Sequence, residues 1–178
     1  MAIISVDRTE RVKTADLADL CAATVEAIQD GIGFGWVRPP AAQRLENFWR
    51  GVTVVPEREL FLGRIDGTVA GAVQLVKPVP SFEAGMFSAA IETHFVAPWG
   101  RGHGLARELL VAAEERARAL NFSVMRLDVR ATQQRAIQLY ETIGYVRWGT
   151  LDKYHLVAGQ MIAGYFYVKD LGAAKAPA

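Results

Sequence analysis

A glycine-rich, positively charged turn in the middle of the chain restricts its fold more than any other segment. Residues 92–110 read ETHFVAPWGRGHGLARELL: an apolar run ends at Pro98, three glycines alternate with Arg101 and His103, and a helical run follows. A helix start presents backbone N–H groups without intrahelical partners, and the helix dipole adds partial positive charge. Because glycine lets a ligand approach the backbone closely, the segment predicts a strand-turn-helix unit that binds phosphate or pyrophosphate.

Three glycine-rich phosphate motifs compete for this turn. The Walker A motif requires a Lys-Ser/Thr pair, which does not follow these glycines. The dinucleotide fingerprint Gly-x-Gly-x-x-Gly has Leu105 at its third glycine when counted from Gly100, and Arg107 when counted from Gly102. The pattern Arg/Gln-x-x-Gly-x-Gly/Ala fits residues 101–106 at every fixed position. A tight turn without a ligand is the remaining alternative.

This hexapeptide resembles the acyl-CoA pyrophosphate loop of the GNAT superfamily of N-acetyltransferases. RAIQLYETIGYVRWG, residues 135–149, is similar to that family's Ala-x-x-Leu-Tyr-x-x-x-Gly-Tyr/Phe signature and lies at the family's spacing from the loop. YFYVKDL, residues 165–171, is similar to the terminal strand of tabtoxin-resistance-type acetyltransferases. The resemblance is specific over about residues 85–171 and only architectural before them.

The hydrophobic pattern predicts a β-α-α-β-β-β-α-β-α-β-β order, which indicates an α/β fold with a mixed sheet. The resemblance implies the GNAT acyl-CoA N-acyltransferase fold, whose central strands splay apart between flanking helices. We expect a single domain over residues 1–171 and a frayed tail over 172–178. The predicted strands are 2–6, 59–65, 68–77, 87–97, 123–129, 145–148 and 164–168, and the predicted helices are 14–29, 40–50, 102–120 and 132–143.

Composition narrows the class of protein. The chain has 178 residues, of which 51% are hydrophobic and 22% are charged, with a formal net charge of +1. These values suit one globular domain, and neither nucleic acid nor a membrane is an expected partner. The N-terminus lacks the pattern of a signal peptide. Cys21 is the one cysteine of the sequence, so no internal disulfide can form, and a reducing cytoplasm is the predicted location. Cys21 lies in a helical apolar stripe and is expected to be a buried thiol.

The resemblance implies acetyl-CoA as co-substrate and assigns residues to it. Backbone N–H groups of the loop would hold the pyrophosphate, and strand main-chain groups would pair with the pantetheine amides. The implied cofactor-binding residues are Phe95, Val96, Arg101, Gly102, His103, Gly104, Leu105 and Ala106. Gln133 stands where many relatives carry Asn, so its amide is one methylene longer. His103 is equally consistent with a solvated turn residue.

Three residues are candidates for proton transfer. Glu92 and His94 lie two apart on a predicted strand, so both are expected on one side, where either can act as general base. Glu92 is ranked first, and a solvated polar pair is the alternative. The resemblance implies that the Tyr140 hydroxyl protonates the departing CoA thiolate. Its helical face is apolar, so a core aromatic is the alternative.

The predicted reaction is transfer of the acetyl group of acetyl-CoA to a primary amine of a small molecule, by direct attack in a ternary complex. Phe34, Trp36 and Tyr154, with His155, are candidate residues for the acceptor site. A protein N-terminus or lysine is an alternative acceptor. A non-catalytic acyl-CoA-binding module is the alternative from another class. No metal site is expected, and a homodimer is left open.

Overall fold

The computed structural model describes residues 2–31 and 35–172. Within them the chain forms seven strands, β1 to β7, and four α-helices, α1 to α4. The strands are Ile4–Thr9, Arg58–Ile65, Thr68–Val76, Ser88–Val96, Val124–Arg130, Val146–Val157 and Gln160–Asp170. The helices are Thr14–Gln29, Ala42–Val52, Leu105–Ala119 and Gln134–Thr142, and short 3₁₀ turns lie at Glu83–Gly85 and Pro98–Gly100.

All seven strands make one mixed sheet in the order β1-β2-β3-β4-β5-β7-β6. Neighbours are antiparallel except β4 and β5, which run parallel. This parallel pair is joined only from Ser88 to Ala90 on β4 and from Val124 to Arg126 on β5. Beyond these positions the two strands diverge, as the resemblance implied, and the sheet opens at its centre.

Helices cover both sides of the sheet. On one side, here called the α3 face, Leu105 and Leu109 of α3 and Tyr140 of α4 pack with Leu127 and Val129 of β5. The opposite side, here called the α1 face, is covered by α1 and α2 with a separate core. Its buried residues include Leu20, Trp49, Leu60 and Phe95. The opening between β4 and β5 therefore connects two differently covered faces.

The observed order of elements is the predicted one, and the predicted fold class is confirmed. The hairpin between β2 and β3 turns at Asp66 and Gly67, whose φ angles are 49° and 85°, as expected for the Asp-Gly signal. The last two strands are longer than predicted and form a hairpin that turns at Ala158 and Gly159. Residues 173–178 of the predicted tail lie outside the described residues. No helix in the described part of the chain is long and apolar enough to span a membrane.

Candidate active site

The divergence of β4 and β5 produces a cleft of about 1210 Å³. One wall is the second half of β4 with the start of α3, and the other is the end of β5 with the start of α4 and β6. The predicted residues that line it are Glu92, His94, Phe95, Val96, Arg101, Gly102, Gly104, Leu105, Ala106, Gln133, Tyr140 and Tyr154. The fold thus brings most of the sequence-predicted site residues into one cleft.

The turn before α3 has the backbone of an anion cradle. Gly102 and Gly104 have φ angles of 82° and 84°, a region that other L-residues rarely adopt. A Cβ atom added at either glycine meets no heavy atom within 4 Å and extends into open space. In the described chain, the backbone N–H groups from Gly102 to Ala106 donate to no protein acceptor. Open space, free donors and a helix N-terminus together fit a pyrophosphate.

The long side chains around the cradle make contacts within the protein. Arg101 Nη1 donates to Asp30 at 2.6 Å, so this guanidinium links the turn to the end of α1. His103 Nδ1 lies 3.3 Å from the Gly100 carbonyl oxygen. Gln133, just before α4, donates its amide to the Gly31 carbonyl oxygen at 3.0 Å. The cradle is therefore built mainly from backbone, and the roles of these three side chains toward CoA stay predictions.

A β-bulge interrupts β4 inside the cleft. Thr93 has a φ of 51°, which is rare for a β-branched residue and indicates local strain. The register with β3 shifts there: Glu92 pairs with Gln74, but Phe95 pairs with Ala72. The fully buried Gln74 donates its amide to Thr93 Oγ1 at 2.7 Å and so supports the bulge. An extra residue in one strand reverses the alternation of side chains beyond it.

The bulge corrects the expectation that Glu92 and His94 share a side. Glu92 lies on the α1 face, where its carboxylate pairs with Arg58 at 2.7 Å and its side chain is 47% exposed. His94 lies on the α3 face in contact with α3 and α4. The sequence argument fails because strict alternation requires a regular strand. Phe95 and Val96 pack into the two cores, while no residue of β5 pairs with β4 at these positions.

His94, which is partly buried, and Tyr140, which is buried, form a hydrogen-bonded pair. His94 Nε2 lies 2.8 Å from the Ala106 carbonyl oxygen, and its Nδ1 lies 2.9 Å from the Tyr140 hydroxyl. Desolvation lowers the pKa of His94 to about 4, partly opposed by the Ala106 hydrogen bond. The imidazole is therefore neutral at neutral pH. Since a carbonyl only accepts, the proton is on Nε2, and the Tyr140 O–H donates to Nδ1.

Tyr140 is both a core residue and a cleft residue. Its side chain is 4% exposed and packs against the rings of Tyr145 and Tyr167, as the apolar helical face indicated. It also lines the cleft. Burial, and then the negative charge of Asp128, raise the pKa of the Tyr140 hydroxyl, so it is protonated at neutral pH. A place in the core and a place in the cleft, the two alternatives that the sequence left open for Tyr140, are therefore compatible.

The second wall joins the predicted Tyr154 and His155 to two charged residues that the sequence analysis missed. Asp128 and Arg130 line the cleft from β5, and His155 lines it from β6 beside Tyr154. Tyr154 donates its hydroxyl to Asp128 and stacks on His155, with ring centroids 3.9 Å apart. Arg130 donates Nε to His155 Nδ1 at 2.8 Å. Alternation along β5, LDVR over residues 127–130, is the signal that places both charges on one side.

Of the two other aromatic residues predicted for the acceptor site, Trp36 and Phe34, only Trp36 is described by the structure. Trp36 packs edge-on against Phe48 of α2, with ring centroids 4.8 Å apart, and is not among the described residues that line the cleft. Phe34 lies outside the described residues. Their roles in binding an acceptor stay predictions. In the described part of the chain, no group of three or more His, Cys, Asp or Glu side chains is arranged to hold a metal ion.

Comparison with known proteins agrees with this geometry. Residues 23–145 match the model of the acetyltransferase (GNAT) family. The chain is 56% identical over 135 residues to a protein of Azospirillum brasilense named as an uncharacterized N-acetyltransferase in the hisH-hisA intergenic region; the match covers 76% of this chain and 80% of that protein.

Two solved structures illustrate the shared fold. The acetyltransferase yncA from Salmonella typhimurium, solved with its cofactor acetyl-CoA, has a TM-score of 0.77 and 16% identity, and the match covers 98% of this chain and 99% of that one. Ribosomal-protein-alanine N-acetyltransferase from Brucella melitensis has a TM-score of 0.76 and 23% identity, with 94% and 99% covered. The chain therefore belongs to the GNAT acetyltransferase family, and it is an acetyl-CoA-dependent N-acetyltransferase.

Proposed function

We propose that this protein transfers the acetyl group of acetyl-CoA to the primary amine of a small molecule, with both substrates bound in the central cleft. One observation carries the proposal: the cradle and the Tyr140 hydroxyl share a cleft with the carboxylates of Glu92 and Asp128. The cleft reaches both faces of the open sheet, which gives each substrate its own entry. A net charge of +1 argues against an acceptor that is a highly charged polymer.

Backbone groups hold the cofactor in this proposal. The free N–H groups from Gly102 to Ala106 bind the pyrophosphate, and the β4 backbone at Phe95 and Val96, where β5 has diverged from it, binds the pantetheine amides in the manner of an added strand. The bound cofactor supplies the acetyl group as a reactive thioester. The Thr93 bulge, supported by Gln74, fixes the β4 backbone beside that group.

Tyr140 is the proposed acid that protonates the CoA sulfur. Its hydroxyl donates to His94 Nδ1 at 2.9 Å, so it must turn from the imidazole toward the sulfur when the thiolate leaves. His94 is neutral and engaged at both nitrogens, and this geometry favours a positioning role over direct proton abstraction from the amine. The imidazole orients the hydroxyl, and Ala106 in turn orients the imidazole.

Glu92 remains the proposed general base. It is half exposed on the α1 face of the cleft, and Arg58 pairs with its carboxylate at 2.7 Å, which holds the side chain in place beside the cleft. Asp128 is a second carboxylate in the same cleft, on the opposite wall. Both lie on the α1 face, away from the cradle of α3, and that face is therefore the proposed acceptor side.

The proposal is tested by measuring thiol release from acetyl-CoA with a panel of small amines, an amino-terminal peptide and a lysine peptide. We expect small amines to give the highest kcat/KM. The Tyr140→Phe variant keeps the ring and its packing but lacks the proton, so its kcat should fall roughly 10- to 1,000-fold. Its Kd for CoA should stay within about twofold, since backbone groups elsewhere bind the phosphates.

Three outcomes would contradict the proposal in different ways. A preference for either peptide over all small amines would replace the acceptor class. CoA binding without thiol release from any acceptor would favour a non-catalytic acyl-CoA-binding module. An unchanged kcat in Tyr140→Phe would remove the hydroxyl from the mechanism. The free thiol of Cys21 suits a reducing compartment, and we place the enzyme in the cytoplasm.

A further inference from the structure

Arg130 is a buried arginine without a carboxylate partner. It lies at the end of β5, its side chain lines the cleft, and it is only 7% exposed. In the described part of the chain Arg130 donates Nε to His155 Nδ1, and no Asp or Glu lies within salt-bridge distance of it. Burial lowers the pKa of Arg130.

Other partly buried arginines of this protein are paired. Arg64 contacts Asp16 at 2.7 Å, and Arg116 contacts the buried Glu59 at 2.7 Å. A guanidinium stays charged in a protein, and removing it from water without a counter-ion costs several kcal/mol. Since Arg130 faces a cleft, an anionic substrate is the natural counter-ion. The planar fork of arginine matches a carboxylate in a bidentate geometry.

The position of Arg130 separates it from the cofactor cradle. Leu127 and Val129 point into the core of the α3 face, so Asp128 and Arg130 point to the α1 face. The cradle belongs to α3 on the other side of the sheet. Two positions along a strand are roughly 6.5 Å apart. The acceptor side therefore presents a carboxylate and a guanidinium at a spacing suited to a small zwitterion.

We propose that the acceptor is a small amino acid whose carboxylate pairs with Arg130 while its amino group faces Asp128 and Glu92. This inference rests on the proposed function and deepens it. The ammonium group of the zwitterion first gives one proton to the carboxylate base, which passes it to solvent. The amine nitrogen then forms a bond to the acetyl carbon and the carbon–sulfur bond breaks. A second proton leaves the nitrogen and CoA gains one, so that CoA departs as the thiol and one proton is released in all. Arg130 takes no part in these steps and determines only which amine is bound.

The experiment compares amines that carry a carboxylate with amides that lack it, with acids of longer chain and with a phosphonate. Glycine and glycinamide, and L-alanine and L-alaninamide, are assayed beside β-alanine, γ-aminobutyrate and 2-aminoethylphosphonate. The parent should favour acids over their amides by at least roughly 100-fold in kcat/KM, since an amide leaves the buried guanidinium unpaired. The phosphonate arm separates a carboxylate site from one that accepts any oxyanion, and comparable kcat/KM for the phosphonate would overturn the carboxylate assignment.

Variants of Arg130 assign the preference to this residue. Arg130→Met should reduce the acid-to-amide ratio to within about threefold, mainly by raising the KM for the acid, with the Kd for CoA within about twofold. Arg130→Lys keeps the charge but loses the planar fork of the guanidinium. Its acid-to-amide ratio of kcat/KM should lie between those of the parent and Arg130→Met. Removing a buried charge that has no carboxylate partner removes its desolvation cost, so Arg130→Met without acceptor should melt no lower than the parent.

The outcomes distinguish this inference from the proposed function. Equal kcat/KM for acids and amides in the parent would overturn the inference while leaving acetyl transfer intact. Transfer to none of the amino acids by a protein that binds CoA would also overturn it. A large rise in the Kd for CoA in Arg130→Met would reassign Arg130 to the cofactor, and a large fall in melting temperature would make it structural. Failure of the parent to bind CoA at all would overturn the proposed function instead.

Discussion

The two walls of the cleft are built on different physical principles. The β4 wall, with the turn before α3, offers backbone: free N–H groups, two glycines with positive φ and a strand edge from which β5 has diverged. The wall made by β5 and β6 offers side chains: Asp128, Arg130, Tyr154 and His155. A backbone site can hold a ligand that never changes. A side-chain site can be altered one residue at a time, which suits recognition of a variable acceptor.

This difference explains why the β4 wall could be predicted from the sequence, while the wall of β5 and β6 was predicted only in part, through Tyr154 and His155. A backbone site needs residues that permit special backbone angles, so it leaves a local glycine pattern, as Gly102 and Gly104 do. A side-chain site is assembled from distant segments. Asp128 and His155 are 27 positions apart, and either residue alone has ordinary chemistry.

The largest expected effect comes from filling the cradle. Gly104→Val places a branched side chain in the open space beside the free N–H groups. The Kd for CoA should rise roughly 100- to 1,000-fold, which corresponds to about 3 to 4 kcal/mol. The measurement is calorimetric titration with CoA. An unchanged Kd would show that the pyrophosphate lies elsewhere.

A matched variant separates this effect from backbone strain. Gly67 in the turn between β2 and β3 has a φ of 85°, and an added Cβ also meets open space there. Gly67→Val therefore carries the same type of conformational cost, roughly 1–3 kcal/mol of folding stability. It should bind CoA as the parent does. Equal loss of CoA binding in both variants would attribute the loss to misfolding.

The second-largest expected effect is on stability at low pH and comes from His94. This residue is part of β4 and contacts α3 and α4. Its pKa is lowered to about 4 by burial, so the unfolded chain binds this proton at a higher pH than the folded protein does. Its stabilising contribution is therefore complete above pH 6.5 and is lost as the pH falls toward 4. The loss from this residue is about 3 kcal/mol of unfolding free energy.

Urea unfolding of the parent and of His94→Gln between pH 7 and pH 4 measures this contribution. The parent should lose more stability than the variant across the interval, because the variant has no imidazole to protonate. A difference between the two proteins that is the same at pH 7 and pH 4 would show that the His94 imidazole is hydrated in the folded state.

Much of the fold could be predicted because its signals are local. The ends of α1 match the prediction at Thr14 and Gln29, and the turn at Asp66 and Gly67 lies where expected. Two features needed tertiary information. The Thr93 bulge depends on contact with Gln74 of β3. The β6–β7 hairpin was missed because β6 is largely exposed, so it lacks the apolar alternation by which a half-buried strand is predicted.

The smallest effect tests whether the hairpin organises the side-chain wall. Tyr154 of β6 lies across Gly164 of β7, and a Cβ added at Gly164 would overlap the Tyr154 ring. Gly164→Ala should therefore displace the Tyr154 hydroxyl from Asp128. Gly149→Ala is the matched control in the same hairpin, since its added Cβ would meet Phe166 at 3.8 Å, an ordinary contact.

With the best acceptor from the amine panel, Gly164→Ala should raise the acceptor KM about tenfold, or about 1.4 kcal/mol. The Kd for CoA should stay unchanged in both variants, because the β4 wall is not disturbed. Steady-state kinetics at saturating acetyl-CoA measures the first effect and calorimetry the second. If Gly164→Ala and Gly149→Ala share the parent's acceptor KM, Tyr154 has no part in acceptor binding, and recognition on this wall belongs to β5 alone.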